Sequence, residues 1–217
     1  MRMRLLGMVV LLGALGSVAK ADDKWEISGV GGASFYLDLK ASGGTPLRSA
    51  KFGFFDGIAV GAVLSQTGGG HWGGEFHYLF QTNNMRLRAA EGATGRADFG
   101  AQSHAVHYDA LLYATRKEAR IRPFVAAGPG FKLYQTSGQE RAFQPLNNIV
   151  VLSRENSVKF LVAAGGGVKV RLGAAQVRLD VRDYVTGIPK NFSAFPGVKL
   201  SGQFHNFVVT GGIGIVF

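Results

Sequence analysis

The sequence predicts an all-β chain, an eight-stranded antiparallel up-and-down transmembrane β-barrel. Three observations carry that expectation. From Lys24 to Phe217, apolar residues alternate with small or polar ones in eight blocks, the period-two pattern of strands whose faces meet different surroundings. The connections between blocks are long and short by turns. Glycine makes up 32 of 217 residues, about twice the usual ~7%, which suits curved, closely packed strands better than helices.

Residues 1–21 read as a cleavable signal peptide. Arg2 and Arg4 form a positive start, Leu5 to Ala14 is an apolar run, and Ala19-Lys20-Ala21 is a small-x-small cleavage site before Asp22-Asp23. The stretch from Leu5 to Ala19 is 15 residues, short of the ~20 that span a bilayer. Residues 22–217 are then one barrel domain. Taking Arg2, Arg4 and Lys20 from the 24 basic residues leaves 21 against 14 acidic ones, a net of +7. These charges are scattered, and an exported protein rarely meets nucleic acid, so anionic envelope lipid is the expected attraction. There is no cysteine, which excludes disulfides, thiol nucleophiles and thiolate metal sites.

The blocks follow in order. Lys24–Leu37 places Trp25, Ile27, Ala33, Phe35 and Leu37 on one face. In Phe52–Ser65, Phe54, Ile58, Val60, Ala62 and Leu64 share a side. His71–Thr82 sends Trp72, Phe76, Tyr78 and Phe80 outward, with His71, Glu75, His77 and Gln81 inward. Ser103–Thr115 puts Val106, Tyr108, Ala110 and Leu112 out, and Ser103, His107, Asp109 and Tyr113 in. Ile121–Tyr134 sets Val125, Ala127, Phe131 and Leu133 against Arg122, Gly128, Gly130 and Lys132. Val158–Arg171 opposes Phe160, Val162, Ala164, Val168 and Val170 to Lys159, Lys169 and Arg171. Ala175–Tyr184 alternates most regularly, with Val177, Leu179 and Val181 against Gln176, Arg178, Asp180, Arg182 and Tyr184. Gln203–Phe217 carries Phe207, Val209, Ile213, Ile215 and Phe217 outward over Asn206, Thr210, Gly212 and Gly214.

Between these blocks lie about 14, 5, 20, 5, 23, 3 and 18 residues, within the usual boundary error. Four long loops on one side and three tight turns on the other are the plan of a membrane barrel. A water-soluble barrel would bury its apolar face. Here Glu26, Glu75, Asp109, Arg178, Asp180 and Arg182 share the face opposite the aromatic residues, so closure leaves the apolar side for lipid.

The inward face also holds Arg122, Lys132, Lys159 and Lys169. An eight-stranded barrel is just wide enough for side chains to fill, and a lone buried charge costs several kcal/mol. The expected result is a plug of paired charges, with Asp180 between Arg178 and Arg182 its best-defined part. A narrow gated pore, in which the pairs exchange partners, is the alternative. His77 and His107 fall beside Glu75 and Asp109; strands in register would give a His–carboxylate cluster, although the spacing is not a dedicated ligand motif. No nucleophile elbow, phosphate loop or zincin motif is present. Gly165-Gly166-Gly167 lies mid-strand with no helix after it, so it serves packing.

Three segments and the terminal strand ending in Phe217 resemble the small eight-stranded outer-membrane barrels, the OmpA-like transmembrane β-barrel superfamily of Gram-negative bacteria. The segments are Arg122-Pro123-Phe124-Val125-Ala126-Ala127-Gly128-Pro129-Gly130, Ala163-Ala164-Gly165-Gly166-Gly167-Val168-Lys169 and Arg178-Leu179-Asp180-Val181-Arg182-Asp183-Tyr184. The resemblance implies an outer-membrane location and a terminal aromatic, Phe217, read by the barrel assembly machinery. No segment resembling a periplasmic peptidoglycan-binding domain follows, so peptidoglycan anchoring is not implied. Lipid A acyltransferases and deacylases share the architecture, but His205-Asn206 lacks the serine of the deacylase pattern, and Ser103, His104 and Asp109 straddle both faces. The expectation is therefore a non-enzymatic monomer without cofactor or metal, whose partners are outer-membrane lipids and lipopolysaccharide. The loops Asp38–Lys51, Asn83–Gln102, Gln135–Ser157 and Val185–Gly202 hold Arg48, Arg86, Arg88, Arg96, Arg141 and Arg154 as candidate binding residues. Ile149-Val150-Val151-Leu152 is expected to extend the sixth strand.

Overall fold

The computed structural model describes residues 24–43, 48–68, 70–89, 96–137, 146 and 149–217. The expected signal peptide and Arg141 lie outside the described residues, as does the side chain of Arg48. Every regular element is a strand. In chain order these are β1 (Lys24–Tyr36), β2 (Leu39–Gly43), β3 (Arg48–Phe54), β4 (Gly57–Thr67), β5 (Trp72–Thr82), β6 (Met85–Ala89), β7 (Arg96–Phe99) and β8 (Ala101–Tyr113). There follow β9 (Ile121–Thr136), β10 (Val150–Leu152), β11 (Ser157–Leu172), β12 (Ala175–Thr186), β13 (Phe192–Ala194), β14 (Val198–Ser201) and β15 (Phe204–Val216).

Eight of them close into one antiparallel barrel in the order β1-β4-β5-β8-β9-β11-β12-β15 and back to β1. The seam joins the ends of the chain: Ile27 pairs with Ile215, and the Phe217 and Trp25 backbones exchange two hydrogen bonds of 2.9 Å. Alternation sets the two faces. Along β12, Gln176, Arg178, Asp180, Arg182 and Tyr184 are buried while Val177, Leu179 and Val181 are exposed. The outward positions of the described barrel strands carry no Lys, Arg or Glu; their ionisable residues are tyrosines, His104, Asp183 and His205. Asp183 Oδ2 lies 2.6 Å from His205 Nδ1, and the Tyr78 hydroxyl lies 2.9 Å from His104 Nδ1. Large apolar side chains such as Val125 and Phe131, both 60% exposed, and Ile213, 69% exposed, cover the rest. That surface matches hydrocarbon rather than water. The shortest turn, Gly173-Ala174, joins β11 to β12, and Gly173 takes φ +70°, where glycine carries no steric penalty. His71, expected inward, stands exposed before β5 and lies 2.9 Å from the Tyr113 carbonyl through its Nδ1.

The long connections are not open loops. β14, β2, β3, β6 and β7 form a five-stranded antiparallel sheet in that order. Each runs into or out of the barrel strand beneath it, namely β15, β1, β4, β5 and β8, so the sheet continues one side of the wall. β10 and β13 form a separate two-stranded sheet, with Val151 opposite Ser193. The segment Ile149–Leu152 thus does not extend the sixth barrel strand; Ile149, Val150 and Leu152 are buried in the cap. The second block is also two strands, because the chain breaks at Phe55-Asp56 and the faces reverse there. Phe54 points inward to the cap, while Ile58 points outward with 61% exposure.

The cap has its own apolar core, including Phe52, Phe54, Met85, Leu87, Ile149, Val150, Leu152, Phe192 and Phe204. Phe54 is its centre, with ring centroids 4.7 Å from Tyr36, 5.3 Å from Tyr134 and 5.4 Å from both Phe192 and Phe204. Aromatic pairs at these distances add to the burial gain. Phe54→Ala would leave a void among four rings and is expected to destabilise the cap by about 3–5 kcal/mol. Limited proteolysis in detergent checks this: cleavage should rise near β3 and β13 while the barrel strands stay protected.

Candidate functional site

The chemistry-bearing residues meet inside the barrel around Glu75, a fully buried carboxylate on β5. Arg178 on β12 grips it in bidentate fashion, with Nη1 and Nη2 donating to Oε1 and Oε2 at 3.0 Å each. Arg182 Nη2 donates to Oε2 at 2.8 Å, and Lys169 Nζ on β11 lies 2.6 Å from Oε1. The Ser65 hydroxyl donates at 2.8 Å, and His77 Nε2 is 2.9 Å away. Bidentate, charge-assisted bonds are the strongest hydrogen bonds in proteins. Their concentration here replaces the water lost on closure.

A second layer of carboxylates surrounds the same cations. Asp180 accepts from Arg178 Nε at 3.0 Å and from Arg182 Nε at 3.1 Å. Asp109 on β8 pairs with Arg182 Nη1. Glu26 on β1 accepts from Lys169 Nζ at 2.8 Å and also from Gln176 and Ser28. The layer therefore ties Lys169, Arg178 and Arg182 to Glu26, Glu75, Asp109 and Asp180 across five strands. Glycines make the room. A Cβ on Gly165 would lie 2.7 Å from Arg182 Cα, and one on Gly167 would lie 2.6 Å from Asp180 Cβ. The glycine run thus serves side-chain packing.

The register sets Glu75 opposite Asp109 and His77 opposite His107. The two imidazoles stack with centroids 4.6 Å apart. His107 Nδ1 lies 2.9 Å from Asp109 Oδ1, and its Nε2 lies 2.9 Å from the Tyr184 hydroxyl. An ionised carboxylate can only accept, so Nδ1 carries the proton, and the neutral ring then accepts from Tyr184. Both nitrogens of His107 are thus engaged, and His77 meets Glu75 through Nε2. Among the described residues no group of three His, Cys, Asp or Glu has the arrangement of a metal site.

Three expected members of the charged plug stand apart from it. Among the described residues Lys132 is buried without a carboxylate partner; its Nζ donates to the Tyr36 hydroxyl, Gln81 Oε1 and Asn206 Oδ1 at 2.5, 2.6 and 2.8 Å. Neutral dipoles and the rings of Tyr36 and Tyr134 hold it instead. Arg122, near the short-turn end, lies 3.7 Å over the Tyr113 ring and donates to Thr67 Oγ1 and the Gly70 carbonyl at 3.5 Å. Lys159 is only half-buried, opposite Lys132 in register, and makes no ion pair among the described residues. Opposite charge is therefore not required for every lumen cation where aromatic faces and hydroxyls converge. Of the basic loop residues, Arg86 and Arg88 pair with Asp38 and Arg96 pairs with Asp98, while Arg154 is exposed. Sequence reasoning missed Tyr36, Gln81 and Ser65 as partners of the lumen cations. Only their inward parity marked them, and many small polar residues share it.

No protein-family model matches the chain, and no curated protein does. Among solved structures it is similar to Neisserial surface protein A (NspA), with a TM-score of 0.53 and 10% identity over 88% of this chain and 96% of that one. It is also similar to the outer membrane protein OprG of Pseudomonas aeruginosa, with a TM-score of 0.52 and 12% identity over 88% and 95% of the two chains. These structural neighbours are small outer-membrane eight-stranded barrels. At such identities the likeness carries the fold.

Because Glu75 serves three cations, Glu75→Ala is expected to destabilise the barrel by about 3–5 kcal/mol, the loss typical when a buried ion loses its partner. Asp180→Ala should cost less, since Arg178 and Arg182 keep Glu75. Arg154→Ala, at an exposed position, should stay within about 0.5 kcal/mol. Urea unfolding midpoints of the three variants in detergent or lipid vesicles would rank them in that order.

Proposed function

We propose that this chain is an outer-membrane barrel protein of a Gram-negative bacterium, with a structural or surface-interaction role and a lumen closed to solutes. Its hydrocarbon-like outer wall and its likeness to outer-membrane barrels support the location. The observation that carries the closed-lumen reading is the double seal: a charged layer whose Glu75, Arg178 and Arg182 are at most 1% exposed, and an aromatic cap above it. Such a molecule acts through its outer wall and cap rather than through transport. In this reading it is a monomer, acts without cofactor or catalysis, and is delivered by the barrel assembly machinery through the strand ending in Phe217. Its partners are outer-membrane lipids and lipopolysaccharide.

A narrow pore for ions or small solutes is the second reading. One observation favours it: Glu75 is shared by three cations, so a partner exchange would move charge without leaving a group unpaired. Planar-bilayer recording on the mature protein separates the two. Electrical silence is expected, and stable unitary steps would establish the pore.

A further inference from the structure

The outer face of the five-stranded cap sheet carries a basic row that no lumen chemistry uses. Register places Ser201 opposite Lys40, Lys40 opposite Lys51, Lys51 opposite Arg88 and Arg88 opposite Arg96. Four cations thus stand side by side on β2, β3, β6 and β7, spanning about 14 Å at the ~4.8 Å strand spacing. The other face of the sheet is apolar and buried, through Ala41, Ala50, Phe52 and Leu87, so the row is fixed outward.

Like charges directly opposite one another across strands are destabilising. The chain offsets this only in part. Asp38 pairs with Arg86 and Arg88, fitting over Gly53, where a Cβ would come within 2.8 Å of its Oδ1. Asp98 serves Arg96. Lys40 and Lys51 have no carboxylate partner among the described residues. Arg86 and Lys199 join the same face, giving six cations. Even with exposed Asp56 counted beside Asp38 and Asp98, the face carries an excess of three positive charges.

Position identifies what would neutralise them. The cap sheet continues one side of the wall upward, so the row starts at Lys40, next to the apolar belt, and climbs through Lys51 and Arg88 to Arg96. Lys40 lies three residues beyond exposed Leu37, a rise of about 10 Å. A headgroup zone of about 5–8 Å borders the hydrocarbon, and lysine stems bend toward such a boundary. We propose that Lys40, Lys51, Arg88 and Arg96 form a strip that binds the phosphates of a phosphorylated glycolipid in the leaflet around the barrel. The wall location favours this lipid over a soluble polyanion, which would meet the cap from above. The proposal rests on the membrane reading and gives that surface role a ligand class.

Native mass spectrometry of the detergent-solubilised mature protein tests it, with bisphosphorylated lipid A as probe. At about fivefold per cation near an anionic surface, Lys40→Gln/Lys51→Gln should weaken binding about 25-fold. Lys40→Arg/Lys51→Arg should restore it, and Arg120→Gln, exposed at the opposite, short-turn end, should leave it unchanged. Dephosphorylated lipid A should bind all forms weakly. Equal binding by wild type and the Gln double variant, or binding indifferent to phosphate, would overturn the proposal. Inorganic polyphosphate binding as tightly as lipid A would overturn it in favour of a soluble polyanion. Bilayer recordings on the same preparations keep the readings apart: unitary steps with phosphate-dependent binding would remove the closed lumen and leave the strip standing. Silence without phosphate dependence would do the reverse.

Discussion

Ionised groups stay inside a narrow barrel only while opposite charges or converging dipoles replace the water they gave up. Around Glu75 that condition is met by geometry spread over the whole circumference. Its partners come from β11 and β12 on the far side of the chain, and its neighbours Ser65 and Asp109 come from the strands on either side. No pair of adjacent strands contains the network. Closure of the barrel and neutralisation of its interior are therefore one event, and the register of each strand is held from within as well as by its backbone ladder.

The glycines follow from the same constraint. Beside Arg182 and Asp180 on the neighbouring strand the backbone must be bare, because a Cβ on Gly165 or Gly167 would collide with the carbonyl oxygen of Val181 or Leu179. The outer wall answers a different demand. Among the described residues its polar groups are paired with one another, as Asp183 with His205 and His104 with Tyr78. Two media, one on each side of a single layer of backbone, explain most of the composition.

The barrel was legible because its strands alternate between unlike residues. On β12 every second residue is polar, and the pattern admits one register. The cap was not legible. Its strands are three to seven residues long, too short for period to show. The chain also reverses faces without announcing it. Phe54 and Ile58 are in phase and both apolar, so they read as one side of one strand, yet the break at Phe55-Asp56 sends them to opposite surfaces. Among the charges, alternation told which residues point inward but not how far along the lumen each one sits. Lys132 and Arg122 therefore looked like members of a salt-bridge layer that they do not reach. Lys40 and Lys51 form a row with Arg88 and Arg96 only through pairing between distant segments.

Five of the eight barrel strands rise into the cap sheet, and β9, β11 and β12 do not. A cylinder would look the same from every direction in the plane of the bilayer. Among the described residues, one side of the wall runs on as a five-stranded sheet, while the connections after β9 and β12 form the separate β10–β13 pair. In the proposed membrane setting, whatever lies beside it would meet different surfaces according to its bearing, although the barrel itself is round.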